Sequence, residues 1–380
     1  MTPALPVRVL SVQTPIMGHG TYARMIRRYL AQTPLVEVES TWADTDKDLL
    51  DRLVNRALCL NPPGLWLARR NLDLRRFRTE LGGGFVARRQ ALRCLRHRPC
   101  DVLHFHTQVS AYGALDLMRR IPTVLSGDMT SALVAREAHG TAPAWTYAPN
   151  IALEQRLYHA AAHVVLWSEW AARSVVDDYG IDPKKVSVIP PGVDRAAFAP
   201  PRPHAPRERV KILFVGNDFA RKGGPDLLDV FGNGFADRAE LHLVTNAPVD
   251  CASSHVHRHP NVAAYSAEWL ALYQSADIFA LPTRGEAFGL VFLEAMAAGL
   301  PVVGTHLNAI PEMVIDGETG LLAPPGDRLA LARHLQALVD NAVLRREMGA
   351  KGRARAAAEF DAQTNFSRLE DVFVRVARKG

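Results

Sequence analysis

The strongest constraint on the fold is a set of short apolar runs that mostly lack the in-and-out alternation of a half-exposed sheet. In the first half these are Val7–Val12, 101–106 (DVLHFH), 122–126 (PTVLS) and 163–167 (HVVLW). In the second half they are 211–215 (KILFV), 241–245 (LHLVT), 278–281 (IFAL) and 301–303 (PVV). Runs of this kind suit strands covered on both faces, which is the condition of a parallel sheet. Helical patterns fall between them, at Tyr22–Gln32, Asp226–Phe231, Trp269–Ser275, Gly289–Ala298, Leu329–Asp340 and Ala342–Ala358. Strand and helix alternating at this spacing predict an α/β chain of doubly wound sheets with right-handed crossovers. The stretch Thr41–Arg98 carries no clear strand pattern and reads as an irregular, mostly helical insertion.

At 380 residues the chain is too long for one ordinary core. The proline-rich stretch Pro200–Pro206 cannot join a central strand and stiffens a linker, so the predicted boundary lies there. The expected domains are 1–200 and 207–360, two Rossmann-like halves facing each other across a ligand-binding cleft.

Charge and cysteine content narrow the function classes. Nothing in the first twenty residues reads as a signal peptide, and no run approaches the roughly 20 apolar residues that cross a bilayer. The four cysteines, Cys59, Cys94, Cys100 and Cys251, are scattered without metal-type spacing and read as reduced thiols of a cytoplasmic protein. The net charge is +6, and ten arginines lie between Arg69 and Arg98. That run is either a solvated helix face or a surface for an anionic membrane or lipid-linked acceptor, which would make the protein peripheral on the inner face of the membrane. Nucleic acid is not expected, because the run has no interleaved aromatics.

The most informative segment is 281–303 (LPTRGEAFGLVFLEAMAAGLPVV). A strand ends at Leu281, a turn follows, and a helix opens near Gly289. The first N–H groups of that helix have no internal partners and the macrodipole is positive there, so a diphosphate is well placed beside Phe288, Gly289 and Leu290. Glu294, one and a half turns in, is at the depth of a ribose, and Glu286 precedes the helix. Carboxylates are poor phosphate ligands and good acceptors from hydroxyls. This segment resembles the E-x7-E signature of the retaining family-4 glycosyltransferases of GT-B fold (glycosyl transferases group 1), with Glu286 and Glu294 as the two acids. The run 310–322 (IPEMVIDGETGLL) is similar to that family as well.

A second turn between strand and helix, 214–224 (FVGNDFARKGG), supports the resemblance. Lys222 matches the family lysine that neutralises the leaving diphosphate. Asn217 stands where the family carries an arginine, so either Arg221 supplies the second positive charge or Lys222 acts with neutral donors alone. Thr245, Asn246 and 262–266 occupy the places where the nucleobase packs. In the N-terminal half, Gly18 matches a family glycine that touches the donor phosphate, while His19 is either a loop histidine or part of that site. His104 and His106 alternate on one face of a strand and read as positioned polar residues, since no third metal ligand is evident. Asp128 lies at or near the place of a family histidine close to the reacting sugar. It either orients sugar hydroxyls, takes a proton from the acceptor, or caps the helix starting near Thr130.

The resemblance implies a metal-independent hexosyltransferase without a resident cofactor. It would move a sugar from a UDP- or GDP-linked donor to a saccharide or lipid-linked acceptor, in cell-surface polysaccharide or glycolipid synthesis. Asp128, Lys222 and Glu286 are the expected catalytic set, and the final helix within 361–380 is expected to pack back on the first domain. A nucleotide-sugar epimerase of the same fold, or an inactive nucleotide-sugar-binding subunit, is the alternative.

Overall fold

The computed structural model describes residues 5–13, 19–42, 48–60, 70–138, 142–198, 208–249 and 253–379. Two six-stranded sheets carry the fold. The first contains β1 (Val7–Gln13), β2 (Val36–Trp42), β3 (Val102–His106), β4 (Thr123–Gly127), β5 (His163–Leu166) and β6 (Val186–Val188) in the order β2-β1-β3-β4-β5-β6. The second contains β7 (Val210–Val215), β8 (Ala239–Val244), β9 (Val256–His259), β10 (Ile278–Ala280), β11 (Val302–Thr305) and β12 (Gly320–Ala323) in the order β12-β11-β10-β7-β8-β9. Every adjacent pair of strands is parallel. The sheets are doubly wound, and the central strands are apolar because helices cover both faces: Val102, Leu103, Phe105, Ile212, Leu213, Phe214, Ile278 and Phe279 are all buried.

The chain divides into two compact units, Met1–Pro191 with Thr364–Gly380, and Gly192–Gln363. The proline-rich stretch 200–206 lies outside the described residues. Close packing at the division explains a glycine. Gly192 has φ +74°, and a Cβ there would sit 2.8 Å from the Ala362 backbone, while Val193 bridges to Asp361. The last helix, Ala362–Ala377, packs in the first unit through Phe366 against Tyr22 and Phe373 against His104, with ring centroids 5.4 and 5.2 Å apart.

The stretch read as irregular opens on the last two residues of β2 and contains two regular helices, Leu49–Leu58 and Arg75–His97. Much of the arginine run is paired within its own unit. Arg89 and Arg93 both pair with Asp48 and Asp51, Arg88 with Asp116, Arg98 with Glu37, Arg78 with Asp73 and Arg76 with Glu80. Arg69 lies outside the described residues. No described helix is long and apolar enough to cross a membrane.

Candidate active site

In the second unit, β7 and β10 are neighbours, so the turns that follow them emerge side by side at the carboxyl edge of the sheet. Glycine lets these turns touch. Gly223 has φ +76°, and a Cβ there would lie 1.9 Å from the carbonyl oxygen of Pro282, a position only glycine can hold. The Arg284 N–H then donates to the Arg221 carbonyl at 2.8 Å, tying one turn to the other. Farther along, Arg284 also reaches the nearly buried Asp226 at 2.7 Å, where Arg328 meets the same carboxylate.

The joined turns bring Lys222 and Glu286 together as an ion pair whose side chains are only 15% and 12% exposed. The Glu286 carbonyl accepts from Asn308 at 2.9 Å, which helps hold the turn. Beside the pair, the helix Leu290–Ala297 begins after Gly289 (φ +89°) and has no side-chain cap. A Cβ at Gly289 would lie 2.8 Å from the Phe292 ring and 3.1 Å from Glu286. Phe288 is buried and Leu290 is partly exposed at the first position of the helix. The site therefore combines one ammonium, one carboxylate and an uncapped positive helix end within a single pair of turns.

Arg221 sits at the rim. Its Nε donates to Asp218 at 2.8 Å and its guanidinium reaches the Gly285 carbonyl, so its charge is already part-balanced by a carboxylate. Asn217 is a brace: its Oδ1 accepts the Asn246 N–H at 3.1 Å, and Asn246 Oδ1 accepts the Asn261 N–H at 2.6 Å. These links tie together the loops that follow β7, β8 and β9. Glu294 is 3% exposed and accepts the Tyr273 hydroxyl at 2.8 Å. Burial first, and then the Glu294 charge, hold the Tyr273 phenol well above its usual range. Tyr265, within the stretch 262–266, takes φ +65° and sets its ring edge-on to Phe198.

The first unit, taken by itself, carries a buried chain of polar groups. His19, expected in a loop, is the first residue of the helix His19–Leu30. Its Nε2 lies 3.6 Å from Asp128, and its Nδ1 lies 2.9 Å from His106 Nε2. Ser126 Oγ bridges His106 Nδ1 at 2.7 Å and His104 Nε2 at 2.8 Å. His104 Nδ1 meets Ser11 Oγ at 2.9 Å, and Gln13 donates its amide to Ser11 at 3.0 Å. Gln13 donates at one end and the Asp128 carboxylate faces the other, and a proton order running from Ser11 toward His19 satisfies each hydrogen-bonded link. In it Ser11 donates to His104, His104 to Ser126, Ser126 to His106 and His106 to His19, whose Nε2 faces the Asp128 carboxylate from beyond hydrogen-bond distance. His104 and His106 are then neutral with the proton on Nε2. Burial agrees, lowering His104 to about 3 and His106 well below the usual histidine range.

Asp128 is not the helix cap. Thr130 takes that role, accepting the Leu133 N–H at 3.2 Å, because the side chain of Asp128 faces His19 instead. The loop between them rests on Glu154, a fully buried carboxyl that receives Gln108, Tyr112, Tyr179 and both the N–H and hydroxyl of Ser131. Gly18 lies outside the described residues. Sequence reading left His19 open between loop and site, and missed Ser126 and Glu154 as members of this network. The alternation of His104 and His106 pointed toward the chain, and the register that pairs His106 with Ser126 completes it.

Residues 209–341 match the family model described as Glycosyl transferases group 1, and residues 16–197 match Glycosyltransferase Family 4. The chain is similar to D-inositol 3-phosphate glycosyltransferase of Kineococcus radiotolerans, 33% identical over 298 residues that cover 68% of each chain. It is also similar to phosphatidyl-myo-inositol mannosyltransferase of Mycobacterium leprae, 36% identical over 203 residues, covering 50% of this chain and 54% of that one. Among solved structures, sucrose-phosphate synthase of Thermosynechococcus elongatus superposes with a TM-score of 0.76 at 19% identity, covering 99% of this chain and 100% of that one.

Proposed function

Because the chain belongs to the group 1, family 4 glycosyltransferases of GT-B fold, we propose that it moves a sugar from a UDP- or GDP-linked donor to an acceptor hydroxyl with retention of configuration. The observation that carries this reading is the Lys222–Glu286 pair, held between two glycine-cornered turns beside an uncapped helix N-terminus. An ammonium and a carboxylate at this spacing suit a ligand that is phosphate on one side and polyol on the other.

When a donor binds, its phosphate oxygens take the Lys222 ammonium and its sugar hydroxyls donate to Glu286, so each partner exchanges one contact for another. As the bond from the anomeric carbon to the phosphate oxygen breaks, negative charge grows on the diphosphate. Lys222, the amides at Gly289 and Leu290, and Arg221 at the rim stabilise that charge. Glu294 holds the ribose, with Tyr273 fixing its second oxygen. Asn217, already bonded to Asn246, contributes shape to the base-binding loops and no charge. The first unit holds the acceptor, and Asp128, backed by His19 and the histidine chain, orients a hydroxyl or receives its proton. The chemistry needs no resident cofactor or metal.

The names of the relatives support an acceptor that is a polyol phosphate or a glycolipid headgroup. With most of the arginine run paired internally, membrane attachment through it is the weaker part of this reading. Thermal stabilisation by UDP, GDP, ADP, dTDP and CDP is the first test. A ligand at about 100 times its Kd adds roughly 2.7 kcal/mol, and one base should stand out. The matching nucleotide sugar is then incubated with and without acceptors. Sugar transfer only with an acceptor supports the transferase. Conversion of donor alone means an epimerase, and binding without turnover means an inactive subunit.

A further inference from the structure

Strand β9 spells V-H-R-H over 256–259, and its neighbour β8 carries Glu240 and His242. Successive side chains of a strand alternate between faces, so Glu240 and His242 share one face of β8, and His257 and His259 share one face of β9. The parallel register sets His242 beside His257, which puts all four on the same side of the sheet. One ligand atom each from Glu240, His242 and His257 lies within 4.8 Å of the others. His242 Nε2 is 3.4 Å from Glu240 Oε2, while its Nδ1 is 3.0 Å from His259 Nε2. The His242 ring lies 4.9 Å from that of His257 and stacks on that of His259 at 5.3 Å.

We propose that Glu240, His242 and His257 form a binding site for a zinc-type divalent cation, with His259 as the positioning residue that orients His242. Two imidazoles and a carboxylate are the donor set that borderline cations of this kind prefer, and hard cations such as Mg²⁺ and Ca²⁺ do not. Around a tetrahedral ion with bonds of about 2.1 Å, ligand atoms stand roughly 3.4 Å apart. The three groups therefore need side-chain rotations of about an ångström and no movement of the strands. The His259 contact supplies the outer support that metal-bound histidines use. With the His242 proton on Nδ1 and donated to His259, the Nε2 lone pair is left pointing toward Glu240. Lys211 Nζ, 3.9 Å from Glu240, neutralises that carboxylate without the cation and swings aside on its flexible stem when the cation enters.

The site lies along the strands, apart from the turns that carry Lys222 and Glu286, so it stands independently of the proposed transferase chemistry. Its effect would be to clamp β9, a four-residue edge strand, to β8. The loops that follow these strands carry the bonded pair Asn246 and Asn261, so the clamp would also steady that end of the sheet.

The test uses the full chain without a histidine tag, stripped with a chelator and titrated with ZnCl₂ by calorimetry, with bound metal counted by mass spectrometry. The expected result is one zinc per chain, a melting temperature raised by several degrees, and no response to MgCl₂ or CaCl₂. Glu240→Gln and His257→Asn should each weaken zinc by at least tenfold. His259→Gln should weaken it by roughly 10- to 100-fold, the usual cost of removing an outer-shell partner. His159→Gln, at an exposed position of a helix in the first unit, should change nothing. Absence of stoichiometric zinc, or equal affinity in the wild type and the isosteric Glu240→Gln, would overturn the proposal. The Glu240→Gln result decides even if His257→Asn does not fold.

Discussion

Acidification should unfold the first unit through its buried histidines, and the size of the effect at His104 follows from its surroundings. His104 has no exposed surface and sits between Ser11 and Ser126, so burial lowers it to about 3 from an unfolded value near 6.5. The unfolded chain therefore binds the proton more readily than the folded one between these values. Stability rises with pH across that window, is nearly complete above 6.5, and is lost progressively as the pH falls toward 3. Between pH 7 and pH 5 this one group should cost about 2 kcal/mol. For a unit of roughly 200 residues that corresponds to about 4–8 °C in Tm. Other groups titrate over the same range, so the measurement is a difference of differences by scanning calorimetry on the wild type and His104→Gln at both pH values. The variant should start less stable at pH 7, because Ser11 and Ser126 lose a well-placed partner, yet lose about 2 kcal/mol less on acidification. An equal loss in both proteins would show that His104 is not held neutral by burial, and the proton order drawn through it would fail.

Lys222→Ala should lower kcat by about 10²- to 10³-fold, because its charge is needed most as the diphosphate departs. Glu286→Gln should leave nucleoside diphosphate affinity within a few fold and lower kcat/KM for the nucleotide sugar, and calorimetry against steady-state kinetics separates the two. Gly223→Ala should be destabilised by more than the ~1–2 kcal/mol of a left-handed alanine, because its methyl meets the Pro282 carbonyl; urea unfolding with a normal midpoint would exclude that contact. Glu154→Gln should cost about 2–4 kcal/mol, since either orientation of the amide sets its NH₂ against at least two of the donors converging there, and unchanged stability would mean that the loop bearing Asp128 does not depend on it.

What sequence could reveal depended on how local the cause was. The central strands were legible because burial on both faces leaves an apolar run, as in β3, β5 and β10. The strands it missed are β2 and β9, whose exposed positions carry Glu37, Glu39 and Arg258, and the short β6 and β12; all four lie at or next to a sheet edge, where polar residues are tolerated. The turns after β7 and β10 were legible because Lys222 stands beside Gly223 and Glu286 between Gly285 and Gly289, and a turn has little choice of shape around Gly223 or Gly289. The pairing of the arginine run was hidden because its partners, Asp48, Asp51, Asp116 and Glu37, are distant in the chain, and a charge count sees one sign of a balanced pair at a time. The histidine chain and the cluster on β8 and β9 fail for a related reason. His106 meets Ser126, and His242 meets His257, only through strand register, and register is decided by the whole sheet. A polar residue inside an apolar strand is therefore the signal to follow. Burying it without a partner costs a few kcal/mol, so a second polar residue on the neighbouring strand is to be expected, and His104, His106, Ser126 and Ser11 meet that expectation.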